Sequence, residues 1–196
     1  MLSNFIASGG PLIFPLLACS IIGFAVVFER VFFWTSYKSH FNAELVESVY
    51  LHLNQHKTNE ALQAIGASKD PSLVCVKRCL ETHQQIKPLT LESMALQVLK
   101  PTKRFERTLE TIITIAPLLG ILGTVLGIIL SFQNTAPDGL GNPGAMMAGL
   151  SQALITTALG LGISIALLVC HNWFQKMSES TKEKLEEELT LFEELA

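Results

Sequence analysis

The sequence predicts an all-α integral membrane protein with three transmembrane helices, extended cytoplasmic helical regions, an external N-terminus and a cytoplasmic C-terminus. Three observations lead to this prediction: uncharged apolar runs, basic residues confined to one side, and helical spacing of apolar residues in the polar segments. Of the 196 residues, 49% are hydrophobic and 16% are charged, whereas an average soluble domain is about 25% charged. The mean hydropathy of +0.40 also favours a membrane protein.

The apolar runs cover residues 11–28, 111–132 and 146–169, and none of them contains a charged residue. A helix rises about 1.5 Å per residue and the hydrocarbon core is about 30 Å thick, so each run can cross it. The first run is extended by the apolar residues 31–34. We therefore predict transmembrane helices at 11–34, 111–132 and 146–171. Core helices of a soluble protein are the alternative, but the remaining polar chain is too short to cover them.

The distribution of basic residues predicts the topology. All 14 Lys and Arg residues lie between the first and second runs or after the third, and residues 1–10 and 133–145 contain none. The positive-inside rule assigns the basic side to the cytoplasm. This predicts a periplasmic N-terminus (1–10), a cytoplasmic helical segment (35–110), a periplasmic loop (133–145) and a cytoplasmic helical tail (172–196).

The cytoplasmic segment has helical signals. Apolar residues recur at helical spacing over 42–56, and Asp70-Pro71 is a typical helix start. A further helix opens near Thr90 and is expected to run through Pro101, or to kink there, into the second span.

The tail continues the periodicity of the third span with an amphipathic pattern, so we expect one continuous helix. Residues 179–196 hold seven Glu and two Lys, whereas 36–107 hold ten basic and seven acidic residues. These opposite charges suggest that the tail packs on the cytoplasmic segment, with a solvated tail as the alternative.

Composition and motifs exclude several functions. The net charge of −3 offers no basic footprint for nucleic acid, and no phosphate loop, nucleophile elbow or dinucleotide fingerprint is present. We therefore expect no enzymatic activity and no cofactor.

His52, His56 and Glu60 have the spacing of a helical metal site, but Leu53 stands where the matching motif has Glu, so a solvated helix face is favoured. The spacing of Cys75 and Cys79 indicates packing residues.

Small and hydroxyl residues distinguish the second and third spans. Small side chains at helical spacing let membrane helices approach closely, and the predicted packing residues are Gly120, Gly123, Gly127, Ala153, Gly160 and Ser164. Three hydroxyl residues accompany them: Thr124, Thr156 and Thr157. From the residues alone two interpretations remain open. In the first, the hydroxyls form hydrogen bonds only with the backbone. In the second, Thr124 and Thr157 line a polar seam across the bilayer.

Two segments resemble a known family. Residues 116–128, APLLGILGTVLGI, look like the signature of the ExbB/TolQ/MotA proton-channel family, and residues 149–161, GLSQALITTALGL, resemble the matching helix. Glu29-Arg30 is similar to the acidic–Arg pair that follows the first span in these proteins. Three spans favour an ExbB/TolQ-type motor subunit, because MotA-like members have four.

The resemblance implies an assembly and an ion pathway. In the family, a homopentamer surrounds two copies of a single-span ExbD/TolR-like partner that has an essential Asp. Thr124 and Thr157 would face that Asp, and Thr156 would add a hydroxyl facing the pore or a neighbouring subunit. Many members have Glu where this chain has Gln152. The resemblance therefore assigns the titrating carboxylate to the partner.

The implied function is that of a stator subunit in the bacterial inner membrane. It would couple the proton motive force, through the partner and a TonB- or TolA-like protein, to work at the outer membrane. Three alternatives remain open: a TolQ-type subunit of a Tol-Pal envelope-maintenance system, a non-conducting membrane scaffold, and a membrane-embedded enzyme that uses His52, His56 and Glu60. The expected ion is H+, with Na+ open because Thr oxygens also coordinate a hard cation.

Overall fold

A computed structural model describes residues 11–81, 88–133 and 143–193, and every regular element among them is helical. The predicted all-α fold is therefore confirmed for this part of the chain. The N-terminus 1–10 and most of the predicted loop 133–145 lie outside the described residues. Within the described ranges, seven α-helices and one short 3-10 helix follow in order: α1 Ile13–Lys38, α2 Ala43–Asn54, α3 Thr58–Ile65, α4 Pro71–Glu81, α5 Pro88–Leu99, the 3-10 helix Lys100–Lys103, α6 Glu106–Gln133 and α7 Pro143–Glu193.

Three of these helices, α1, α6 and α7, are long and apolar enough to cross a membrane. Most of their apolar surface is not covered within the chain: Phe28 is 73% exposed, Phe32 78% and Leu154 69%. Such extended apolar surfaces are stable in lipid or against other apolar helices, not in water. The chain is therefore a multi-pass membrane protein.

The third long helix extends well beyond its apolar part. Helix α7 has 51 residues, about 77 Å at the usual rise per residue, which is more than twice the hydrocarbon thickness. The predicted continuity of the third span with the tail is confirmed. Its charged C-terminal part, from Lys176 onward, must lie outside the hydrocarbon.

The chain forms two compact units, and helices α1 and α7 contribute residues to both. The first unit comprises Met1–Glu29 and Phe105–Trp173 and contains the apolar parts of the three long helices. Within it, Gly23 of α1 is buried beside Leu167 of α7, and a Cβ at position 23 would lie 2.5 Å from a Leu167 methyl carbon. Close packing of helices in this unit therefore relies on small residues.

The second unit comprises Arg30–Arg104 and Phe174–Ala196 and has its own apolar core. Three residues of the tail, Leu185, Leu189 and Phe192, are buried in that core with residues of α2 to α5. The core members are Val46, Val49, Ala61, Ile65, Leu73, Cys75, Val76, Cys79, Ala95, Leu99, Leu185, Leu189 and Phe192. The tail thus packs on the segment as expected, and apolar burial is the main source of this contact.

The predicted helix start at Asp70 is confirmed. Helix α4 begins at Pro71, and the buried Asp70 carboxylate accepts hydrogen bonds from the Ser72 backbone N–H (3.0 Å) and the Asn42 backbone N–H (2.7 Å). One carboxylate therefore caps α4 and also holds the chain just before α2.

Arg30 is the buried member of the Glu29-Arg30 pair. It is only 3% exposed, and its guanidinium donates hydrogen bonds to the carbonyl oxygens of Pro101 (3.0 Å) and Thr102 (3.4 Å) while stacking on the ring of Phe33. Arg30 therefore adds a charged donor to two carbonyl groups of the 3-10 helix, of which that of Pro101 also accepts the Arg104 backbone N–H at 3.3 Å.

One expected helix forms nearly as predicted, and another is interrupted. The helix expected over 42–56 spans Ala43–Asn54, and His56 just beyond it has a φ of 57°. The helix near Thr90 does not run through Pro101: α5 ends at Leu99, the 3-10 helix follows, and Phe105 has a φ of 64° before α6 begins. Proline lacks the N–H that a continuous helix needs and disfavours the α conformation at the residue before it.

Candidate ion-pathway site

Close approach of α6 and α7 determines the geometry of the candidate site. A Cβ added at Gly120 would lie 3.0 Å from Cα of Thr157, and one at Gly160 would lie 2.5 Å from the carbonyl oxygen of Ala116. At Gly127 it would lie 2.7 Å from Cβ of Ala153. An added Cβ would clash with backbone at Gly160 and with the Ala153 side chain at Gly127, and it would crowd the Thr157 backbone at Gly120. The absence of side chains at these glycines therefore lets the two helices approach closely.

All six residues predicted to pack the helices are buried: Gly120, Gly123, Gly127, Ala153, Gly160 and Ser164. Ser164 adds a polar contact, because its hydroxyl donates a hydrogen bond of 2.7 Å to the carbonyl oxygen of Ile113 on the other helix. Near the opposite end the Ser131 hydroxyl is 2.8 Å from the carbonyl oxygen of Gly127 in its own helix and 3.3 Å from that of Met146 on the other helix, so the two carbonyl groups share its one hydrogen. Interhelical hydrogen bonds of this kind stabilise helix pairs in lipid by about 1 kcal/mol each.

Thr157 is half-buried and also joins the two helices. Its hydroxyl donates a hydrogen bond of 2.7 Å to the carbonyl oxygen of Gly120. That bond uses the only hydroxyl hydrogen but leaves oxygen lone pairs that can accept a further bond. Thr157 can therefore pack the helices and still receive a hydrogen bond from a group outside this chain.

Thr124 has the same capacity on α6. It is half-buried, and its hydroxyl donates 2.7 Å to the carbonyl oxygen of Ile121 in its own helix. Its oxygen also keeps accepting capacity. The two interpretations of the hydroxyls are thus compatible, since bonds to the backbone do not exhaust either oxygen.

Thr156 has a different environment from the one expected. It is 1% exposed, donates 2.8 Å to the carbonyl oxygen of Ala153 and lies directly against Gly123. Thr156 therefore does not border an open surface of this chain, and in this structure it is a packing residue. Adjacent residues on a helix point about 100° apart, so Thr156 and Thr157 cannot share one environment.

The candidate site contains no group of its own that titrates. Residues 111–132 and 146–169 contain no ionisable side chain, and the half-buried Gln152 is an amide. Hydroxyls and amides form hydrogen bonds but do not take up or release protons near neutral pH. These two segments therefore offer no side chain that could itself carry a proton across the bilayer.

The alternative metal site at His52, His56 and Glu60 is not assembled. His52 Nδ1 is 3.5 Å from Glu60 Oε2, but Lys57 Nζ lies closer, at 3.2 Å from the same oxygen. His56 follows the end of α2 with a positive φ, so it does not continue the helix face of His52. A cation already neutralises the carboxylate here, which disfavours a metal.

The two cysteines of α4 are buried, as their predicted packing role requires. Burial raises the pKa of the Cys75 thiol to about 12, and it also raises the pKa of Cys79. A thiol that stays protonated is a poor nucleophile and a poor metal ligand. Neither cysteine is therefore poised for chemistry.

Comparison with known proteins identifies the family. The profile of the MotA/TolQ/ExbB proton channel family matches residues 55–187, about two thirds of the chain. The chain belongs to this family. It is therefore a proton-channel subunit of the ExbB/TolQ type, from a family of transport proteins and not of enzymes.

Named relatives agree with this assignment. The chain is 33% identical over 177 residues to a putative biopolymer transport protein, ExbB-like 3, of a Synechocystis species, covering 87% of this chain and 83% of the relative. It is 27% identical to a putative ExbB homologue of Methanothermobacter thermautotrophicus, covering 91% and 64%. The biopolymer transport protein ExbB of Helicobacter pylori is 41% identical over 76 residues, covering 39% and 52%.

Proposed function

We propose that this chain is the ring-forming subunit of an ion-driven motor in the bacterial inner membrane. Five copies surround two single-span partner helices of the ExbD/TolR type, and the partner passes work to a TonB- or TolA-like protein at the outer membrane. The observation that supports this most is the surface beside the α6–α7 contact. It keeps two half-buried hydroxyl oxygens, on Thr124 and Thr157, and has no titratable group.

The partner's carboxyl group carries the proton in this proposal. A carboxylate at mid-membrane costs about 2.5–3.5 kcal/mol on insertion scales, and protonation removes that cost. The membrane potential contributes about 2.3 kcal/mol per charge per 100 mV. Uptake of a proton from the periplasm and its release to the cytosol can therefore move the partner helix from one subunit to the next.

Thr124 and Thr157 can form hydrogen bonds with both the protonated and the ionised form of the partner's carboxyl group. A protonated carboxyl donates its hydrogen to the Thr124 or Thr157 oxygen, while each hydroxyl keeps its bond to the backbone. After deprotonation the hydroxyl rotates and donates to the carboxylate instead. Gln152 can accept or donate but not titrate, so the ring itself stores no proton.

Proton flux into vesicles tests this proposal. Vesicles with the chain and a co-expressed ExbD-type partner are expected to take up protons under an imposed potential, and vesicles with the chain alone are not. The matched control is a partner with its intramembrane Asp replaced by Asn. Equal flux in all three samples would contradict the proposal, and flux that requires Na+ and not K+ would identify sodium as the ion.

A further inference from the structure

A cluster of three ligand-type side chains lies at one end of the α6–α7 pair, outside the candidate ion pathway. Glu106 and Glu110 lie one turn apart at the start of α6, and His171 lies on α7. One ligand atom from each side chain lies within 4.8 Å of the others. Glu110 immediately precedes the uncharged run 111–132, and His171 ends the predicted third span, so the cluster lies at the edge of the apolar region.

The distance between His171 and Glu110 is close to that between two ligands of one metal ion. His171 Nε2 is 3.7 Å from Glu110 Oε1, which is too long for a direct hydrogen bond of about 2.7–3.2 Å. Two ligands bound tetrahedrally to zinc at about 2.0–2.1 Å lie about 3.4 Å apart. Movements of a few tenths of an ångström would therefore bring these two atoms into coordination distance of one ion.

The burial of His171 is a second, independent observation. The residue is only 5% exposed, and the contact of its Nε2 with Glu110 Oε1 is longer than a direct hydrogen bond. Coordination of this nitrogen to a metal ion would replace that long contact with a direct bond. The side chain of Glu110 is 53% exposed, which leaves a path from solvent to the cluster.

We propose that Glu106, Glu110 and His171 bind one divalent transition-metal ion of the zinc class. The imidazole ligand favours zinc, nickel or iron over magnesium and calcium, which prefer all-oxygen sites. Three protein ligands leave the fourth position to water. The ion would join the start of α6 to α7 and limit their relative movement, a role beyond the proposed function and independent of it.

Metal titration of the purified full-length protein tests this site. A preparation without a polyhistidine tag, washed with chelator, is titrated with Co2+ while its visible absorption is recorded, and Zn2+ binding is measured by calorimetry. We expect one saturable ion per chain, displacement of Co2+ by Zn2+, and no displacement by Mg2+. Glu110→Gln and His171→Gln are each expected to weaken Zn2+ binding at least about tenfold.

His52→Gln is the matched control, since His52 makes the other histidine–glutamate contact, at 3.5 Å, beside Lys57. This variant is expected to bind Zn2+ like the parent. Because the Glu110 side chain is half exposed, Glu110→Gln retains the fold even if His171→Gln does not, which circular dichroism will show. Lack of saturable binding, or unchanged affinity in folded Glu110→Gln, would overturn the proposal.

Discussion

At the residue scale, a single hydroxyl lies between two carboxyl groups. Ser72 Oγ is 2.6 Å from Asp70 Oδ1 and 2.6 Å from Glu188 Oε2. A hydroxyl has one hydrogen, so it can donate to only one of the two carboxylates at a time. Asp70 also accepts two backbone N–H bonds, whereas burial disfavours the charged form of Glu188.

The environment of Glu188 makes the attachment of the tail pH-dependent. Burial, more than the nearby Asp70 charge, raises the pKa of Glu188 above its usual 4.5, although Ser72 and Lys184 act in the opposite direction. The folded state then holds the proton more tightly than the unfolded state. Its stabilising effect is present below pH 4.5 and is lost as pH rises through the raised pKa.

Glu188→Gln is expected to remove this dependence, because the amide donates to Ser72 at every pH. The measurement is amide hydrogen exchange of residues 182–193 from pH 4.5 to pH 8, corrected for the intrinsic exchange rate. Protection of the parent is expected to fall with pH more steeply than that of the variant. The control is the exposed Glu187→Gln; equal slopes in the parent and Glu188→Gln would show that the Glu188 proton does not hold the tail.

Residue-scale features were the least predictable from sequence. Arg30 was expected as part of a charged pair, and its burial against the carbonyl groups of Pro101 and Thr102 depends on residues about 70 positions away. The separation of Thr156 from Thr157 was also missed, because spacing alone does not say which hydroxyl points into a helix pair. The cluster of Glu106, Glu110 and His171 likewise requires the pairing of two distant helices.

At the element scale, the α6–α7 contact depends on backbone approach that only glycine permits. Gly160→Ala would place a methyl group 2.5 Å from the Ala116 carbonyl oxygen, a backbone atom that a side-chain movement cannot relieve. We expect a loss of about 1–3 kcal/mol in stability, the usual effect of overpacking. Thermal unfolding in detergent measures this change.

Gly162→Ala is the matched control on the same helix, because its added methyl group meets nothing within 4 Å. Alanine there is expected to be neutral or to stabilise the helix by up to about 1 kcal/mol. Similar unfolding temperatures for the two variants would mean that the close contact at Gly160 does not stabilise the helix pair.

The elements themselves were largely predictable. The long uncharged runs predict three long helices, because a segment that crosses lipid must satisfy its backbone hydrogen bonds internally, as a helix does. The small-residue spacing also predicted which residues lie between α6 and α7. The left-handed backbone at His56 and at Phe105 was not predicted, since residues other than glycine rarely adopt a positive φ.

At the scale of the whole molecule, the sequence predicts apolar membrane spans and a separate polar helical part, and the two compact units correspond to these parts. One unit contains the apolar helix pair, and the other has a separate core that includes the end of the tail. Opposite charges led us to predict that the tail packs on the cytoplasmic segment, and it does. The contact also depends on apolar burial, because Leu185, Leu189 and Phe192 of the tail are buried in the core. Orientation in the membrane remains a prediction of the basic-residue distribution.

The central claim is that the hydroxyls of Thr124 and Thr157 form hydrogen bonds with the partner's carboxyl group, which carries the proton. The double variant Thr124→Val/Thr157→Val retains side-chain shape and removes both hydroxyls, whereas Thr→Ser at both positions retains them. Thr114→Val, which removes an exposed hydroxyl bonded only within α6, is the control. An unsatisfied carboxyl group costs about 1–3 kcal/mol, enough to slow transfer roughly tenfold or more.

The decisive measurement is partner-dependent proton flux into vesicles for these variants, with native mass spectrometry of the same samples to verify that the expected pentamer forms. The account predicts flux reduced at least about tenfold in the assembled double valine variant, and near-normal flux in the serine and Thr114→Val variants. Normal flux through an assembled double valine ring would contradict it, and the two hydroxyls would then only pack the helices.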